Sequence, residues 1–150
     1  MLQDFNICIQ TQFVFGKNAQ NQIGSELKKR GVKRVLIHHD NGEFLYATGL
    51  LESISRNLEK EGISWVELGG VLPNPRLSLV YEGIEIAKKE DVDFVIAIGG
   101  GSVIDSAKAI GLGAVIKGDV WDFFTGAAVP ESSLPVGVIL TCPCLLYTSD

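Results

Sequence analysis

The sequence predicts a doubly wound, mainly parallel α/β sheet, and three observations lead there. Short apolar, β-branched runs alternate with longer segments whose apolar residues recur three and four apart, the signature of βαβ units. The run Phe94-Val95-Ile96-Ala97-Ile98 is apolar without alternation, as a central parallel strand covered by helices on both faces requires. Directly after it, Gly99-Gly100-Gly101-Ser102 opens a segment with Val103, Ala107, Ile110 and Ala114 on one helical face.

In chain order, residues 5–9 and 12–15 read as two short strands with no helix between them, and are expected to form an edge hairpin before Gly16. Residues 19–30 read as a helix presenting Ile23 and Leu27, with Gly31 where a left-handed terminating residue is wanted. A strand over 34–38 follows. Residues 44–60 read as one helix with Leu51, Ile54 and Leu58 on its buried face and Gly62 past its end; residues 64–68 then read as a strand. Pro73-Asn74-Pro75 excludes a helix across that segment, because each proline biases its predecessor toward extended backbone. A helix over 78–89 should bury Val80, Ile84 and Ala87, a strand covers 93–98, and a last strand covers 136–140. No internal repeat, low-complexity segment or linker divides the chain, so one domain is expected.

Composition narrows the function classes. The chain has 150 residues, of which 21% are charged, and a formal net charge of -5. That balance disfavours nucleic acid, whose affinity for proteins comes chiefly from Lys and Arg neutralising phosphates. No apolar run approaches the ~20 residues that span a bilayer, and Met1-Leu2-Gln3-Asp4 lacks the basic and apolar regions of a secretory signal. A cytoplasmic protein with a small-molecule partner is expected. Cys8, Cys142 and Cys144, odd in number and without a signal peptide, are expected to be reduced thiols.

The strongest local signal is Gly99-Gly100-Gly101-Ser102-Val103-Ile104-Asp105-Ser106-Ala107-Lys108. Glycines let the backbone turn tightly and approach a ligand with no Cβ in the way, and the first N–H groups of the following helix have no helical acceptor. A diphosphate fits such a place. Ser102 is expected as the N-cap with Asp105 as its reciprocal partner, and the same turn can be read as architecture alone. Neither the GxGxxG fingerprint nor the Walker lysine arrangement is present. Asp40, just beyond the strand over 34–38, can accept hydrogen bonds from a ribose's two hydroxyls and would repel a 2′-phosphate; followed by Asn41-Gly42, it is equally ordinary turn chemistry.

Other candidates weigh less. His38 and His39 are successive strand residues that point to opposite faces, so structural roles are expected for both. Cys142-Pro143-Cys144 has neither CxxC spacing nor a second cluster and is assigned no chemistry. Trp121, Phe123 and Phe124 are expected in a short packed turn covering the sheet.

Taken together, Phe15-Gly16-Lys17, Leu72-Pro73-Asn74-Pro75-Arg76, the glycine turn with its helix, and residues 134–141 resemble, in order and spacing, the iron-containing alcohol dehydrogenases. Gly118-Asp119-Val120-Trp121-Asp122-Phe123 is most similar to the butanol dehydrogenase and long-chain aldehyde reductase branch. The resemblance runs to about Pro143. It implies a Rossmann-like, dehydroquinate synthase-like N-terminal domain over residues 1–143, with the family's helical C-terminal domain absent. Residues 144–150 depart from the family pattern and are expected to be a truncation or assembly scar.

Carried over residue by residue, the resemblance places Gly99, Gly100, Gly101 and Ser102 at a pyrophosphate and Asp105 toward the nicotinamide side. It places Asn74 along the cofactor cleft and Thr141 in contact with the cofactor. Asp40 matches the aspartate that receives the ribose in NAD-dependent relatives, where NADP-using relatives carry glycines; NAD is therefore expected, with NADP possible. The implied parent is a homodimeric NAD(P)-dependent alcohol dehydrogenase or aldehyde reductase acting on small alcohols or aldehydes. Its Fe2+ or Zn2+ is held by residues of the missing domain, so this chain is assigned neither catalytic nor metal-binding residues. The alternatives are a nucleotide-binding module without chemistry, or a sister activity such as glycerol dehydrogenase or dehydroquinate synthase.

Overall fold

The computed structural model describes residues 11–141. A 3-10 turn, Ala19–Gln22, leads into α1 (Ile23–Lys29), which Gly31 terminates at φ 76°. Strand β1 (Arg34–Asp40) is followed by α2 (Glu43–Ala47) and α3 (Leu50–Lys60), then β2 (Ser64–Val71) and α4 (Leu77–Lys89). Next come β3 (Phe94–Gly99), α5 (Gly101–Ala114), the short α6 (Trp121–Thr125) and β4 (Val136–Leu140).

The four strands form one sheet in the order β2-β1-β3-β4, with every neighbouring pair parallel. The chain therefore winds outward from β1 to β2, then crosses back over β1 to β3 and β4. Alternate residues of the two central strands feed two cores. Leu36, Val95 and Ala97 pack with Val80, Ile84, Ala107 and Ile110 of α4 and α5; Val35, Ile37, Ile96 and Ile98 pack with Leu27, Ile54 and Leu58 of α1 and α3. Helices on both faces explain why β3 is buried at every position and why its sequence does not alternate.

α4 and α5 approach closely because each presents a glycine to an isoleucine of the other. A Cβ at Gly83 would lie 2.4 Å from Ile110 Cδ1, and one at Gly113 would lie 2.2 Å from Ile84 Cδ1. At the N-terminal edge of the sheet, the Asp93 carboxylate accepts the Lys33 and Arg34 N–H groups at 2.9 and 3.0 Å, fixing where β1 begins beside β3.

Several boundaries differ from expectation. The single helix over 44–60 is broken between α2 and α3, where Gly49 adopts φ 67° and the chain changes direction. β2 runs three residues past Leu68, through Gly69 and Gly70. Residues 12–15 carry no sheet ladder, and the other half of the expected hairpin, residues 5–9, lies outside the described residues. Cys8, Cys142, Cys144 and the tail 144–150 also lie outside them. Of the aromatic segment, Phe123 and its neighbour Val120 cover the core. Trp121 and Phe124, expected to pack there, are 48% and 59% exposed, because the one and a half turns of α6 cannot aim four residues at one surface.

Candidate functional site

In an open parallel sheet, the crevice beyond the strands' carboxyl ends opens where the winding direction reverses. Here that point lies between β1, which leads outward to β2, and β3, which leads the other way to β4. The residues ending these two strands are Asp40 and Gly99.

Gly99 has φ 154°, and a Cβ on it would sit 2.6 Å from Val103 Cγ2 and 3.5 Å from Asp40 Oδ2. Only glycine fits without displacing the first turn of α5, and the absent side chain lets the Asp40 carboxylate stand against the bend. Asp40 holds its other oxygen, Oδ1, on the Gly42 N–H at 2.9 Å. One carboxylate oxygen is thereby fixed by the loop and the second is turned toward the glycine bend. Gly100 is the N-cap of α5 with extended backbone, and no atom lies within 4 Å of where its Cβ would be. The amides of Gly101 and Ser102 meet no acceptor among the described residues, since the helix ladder begins with Val103 and Ile104 donating to the Gly100 carbonyl. The bend thus presents unpaired donors beside open space, with a carboxylate at its flank.

Two further segments close on the same place. Thr141 donates its N–H to the Gly99 carbonyl at 3.2 Å, continuing the β3–β4 ladder past Leu140. Asn74, in the loop between β2 and α4, donates its N–H to Ser102 Oγ at 3.3 Å. Its φ of 61° is left-handed rather than the extended geometry expected before Pro75.

The structure thus brings Asp40, Asn74, Gly99, Gly100, Gly101, Ser102 and Thr141 to one edge. Asp105 is exposed on the face of α5 opposite Val103 and Ala107, and makes no side-chain hydrogen bond among the described residues. The expected capping pair does not form. The helix starts before Ser102, with Gly100 as N-cap, and Ser102 Oγ faces the Asn74 loop instead of the helix N–H groups.

Both histidines are fully buried and face opposite cores, as strand alternation requires. His38 Nδ1 lies 2.8 Å from the Leu68 carbonyl and Nε2 lies 2.8 Å from Ser106 Oγ. A carbonyl only accepts, so Nδ1 carries the proton and Nε2 accepts from the Ser106 hydroxyl. Burial pushes the His38 pKa down to about 4, against a smaller opposing effect of the Leu68 bond, so the ring is neutral near pH 7. His39 Nε2 pairs with Glu67 Oε1 across β1 and β2 at 2.9 Å, and its Nδ1 meets the Asp40 carbonyl.

One contributor escaped the sequence reading. The β1–β2 register passes from His38↔Leu68 to Asp40↔Val71, so Gly69 and Gly70 together oppose His39 in a bulge. A Cβ at Gly69 would lie 2.5 Å from Asn41 Oδ1 and 2.7 Å from His39 Cε1. Gly70, at φ 96°, completes the bend. This bulge sets the end of β1, and with it the height at which Asp40 stands. Its signal was the glycine pair inside a strand pattern.

Fold and edge together define an open α/β domain whose strand order reverses between β1 and β3. Residues 10–144 match the model of the family described as iron-containing alcohol dehydrogenase. The chain belongs to that family. It is 41% identical over 140 residues to a probable NADH-dependent butanol dehydrogenase of Bacillus subtilis, covering 93% of this chain and 36% of the relative. It is likewise 41% identical over 137 residues to NADH-dependent butanol dehydrogenase A of Clostridium acetobutylicum, covering 91% and 35%. Among solved structures, the NADH-dependent butanol dehydrogenase A of Thermotoga maritima superposes with a TM-score of 0.88 at 43% identity, over 93% of this chain and 35% of that one. The chain spans about a third of the length of the relatives it matches.

Proposed function

We propose that this chain forms the dinucleotide-binding part of an NAD(P)-dependent, metal-requiring alcohol dehydrogenase or aldehyde reductase. The observation that carries the reading is the meeting, at one strand-order reversal, of unpaired α5 amides and the Asp40 carboxylate. The names of the NADH-dependent relatives support it.

In this reading Gly100, Gly101 and Ser102 receive the pyrophosphate, whose charge suits the first turn of a helix. Open space where a Cβ of Gly100 would stand supports the approach of a ligand to that backbone. Asp40 Oδ2 accepts from the adenosine ribose hydroxyls and repels a 2′-phosphate, favouring NAD over NADP. Asn74 and Thr141 bound the cleft on either side, and Asp105 belongs to its outer rim. When bound, the cofactor supplies hydride exchange at its nicotinamide with the carbon of a primary alcohol or aldehyde.

No group of three or more His, Cys, Asp and Glu gathers among the described residues, which therefore do not fit the family's metal. In this proposal, residues of a longer parent polypeptide hold it, and the chain alone binds cofactor without turning over alcohol. Titration with NADH, followed by energy transfer from tryptophan, should saturate, be competed by NAD+ and be weaker with NADPH. A linear, non-saturating response would overturn the reading.

A further inference from the structure

Asn74 combines three observations that the cleft-lining role does not explain. It is one of three non-glycine residues with positive φ among those described, at 61°. It stands between two prolines, a setting that disfavours helical backbone. Its N–H is directed at Ser102 Oγ, 28 residues away on the first turn of α5. Left-handed backbone costs on the order of 1 kcal/mol for a residue with a side chain, least for Asn and Asp. Holding it between two prolines fixes the direction of one N–H.

A serine hydroxyl has one proton to donate and lone pairs to accept with. The Asn74 N–H occupies an accepting position on Ser102 Oγ, and no acceptor among the described residues takes the hydroxyl proton. We propose that Asn74 is a positioning residue: its left-handed backbone amide sets the Ser102 hydroxyl as a donor aimed into the bend, alongside the Gly101 and Ser102 amides. The group it serves is an anionic phosphate oxygen of the bound dinucleotide. Without that amide, no partner among the described residues holds the direction of the hydroxyl. The inference rests on the dinucleotide reading and deepens it, by assigning Asn74 a role through its main chain.

The substitutions separate main chain from side chain. Asn74→Gly keeps the N–H and accepts φ 61° freely, so it should lose clearly less NADH affinity than Ser102→Ala or Asn74→Val. Asn74→Val disfavours that φ and should weaken NADH binding roughly five- to tenfold, the range of one hydrogen bond. Ser102→Ala should weaken it by a similar factor, and adding Asn74→Val to Ser102→Ala should cost little more, because both remove the same bond. Urea unfolding of each variant reports whether folding is retained, and the Gly variant carries the test if the Val variant does not fold. A loss in Asn74→Gly as large as that in Ser102→Ala, or full additivity of the Val and Ala losses, overturns this inference while leaving the dinucleotide reading intact. Failure of the unsubstituted chain to bind NADH saturably overturns both.

Discussion

Acid should destabilise this domain through His38. The ring is fully buried between the Leu68 carbonyl and the Ser106 hydroxyl, on the core face that α5 covers. A second proton would sit on Nε2 with only a hydroxyl oxygen to receive it, in a site where burial and the adjacent His39 both disfavour the charge. Folded, the group titrates at about 4, against 6.5 in the absence of the fold. Between those values the unfolded chain holds a proton that the folded chain refuses. Stability from this site is therefore complete above pH 6.5 and drains away as the pH falls toward 4. At ~1.4 kcal/mol for each pH unit of that interval, the loss reaches about 3 kcal/mol, a large part of the ~5–15 kcal/mol that holds a typical domain. Urea unfolding at pH 7.5, 6.5, 5.5 and 4.5 should be compared between the chain and a His38→Phe, Ser106→Ala variant. Carboxylates titrate alike in both, so the difference isolates His38. The unsubstituted chain should lose about 2.5 kcal/mol more than the variant across this range. Parallel curves, or a His38 ring resonance titrating near 6.5 in the folded chain, would refute the reasoning.

The glycine bend offers a contrast between neighbours. Gly99→Ala should cost about 1–3 kcal/mol of stability, since its Cβ would meet Val103 at 2.6 Å on a backbone at φ 154°. Gly100→Ala, with open space and ordinary dihedrals, should leave the unfolding midpoint nearly unchanged while weakening NADH binding by roughly tenfold or more. Asp40→Gly should lower the ratio of NADH to NADPH affinity by at least about tenfold, measured by parallel titrations; an unchanged ratio would remove Asp40 from cofactor choice. Gly113→Ala should destabilise by about 1–3 kcal/mol because both Cδ1 and Cγ1 of Ile84 stand in its way, and adding Ile84→Val should recover part of the loss in thermal melts.

What was legible in the sequence follows the physics of each signal. The unbroken apolar run of β3 and the spacing of Leu51, Ile54 and Leu58 report burial directly, so β3 and the buried face of α3 lie where periodicity placed them. Gly31 and Gly62 end their helices with positive φ, as helix termination by glycine leads one to expect. Gly49 sends the same local signal, but it lies inside a pattern that periodicity alone continues across residues 44–60. The Ser102 cap failed for a different reason. A serine ahead of a helix has several uses for its hydroxyl, and the partner that claims it, Asn74, is 28 residues distant. Local sequence cannot rank a local bond against a remote one.

The remaining gap concerns how Asp40 comes to stand beside Gly99. Both residues are readable as strand ends, yet their meeting depends on β1 and β3 being neighbours and on the bulge that Gly69 and Gly70 impose on β2 opposite His39. In a straight ladder Val71 would pair one residue beyond Asp40, and the last turn of β1 would be directed differently. The absent side chain at Gly69 also leaves room for the His39 ring and the Asn41 amide, so the loop can fold back and bind Asp40 Oδ1 through Gly42. Two glycine features on different strands, the bend after β3 and the bulge in β2, thus act on one carboxylate: the bend leaves the space that Oδ2 faces, and the bulge sets the height from which it faces it. The meeting of Asp40 with the glycine bend is a product of topology acting on side chains that are missing, which is why its parts are visible in the sequence one at a time and its assembly is not.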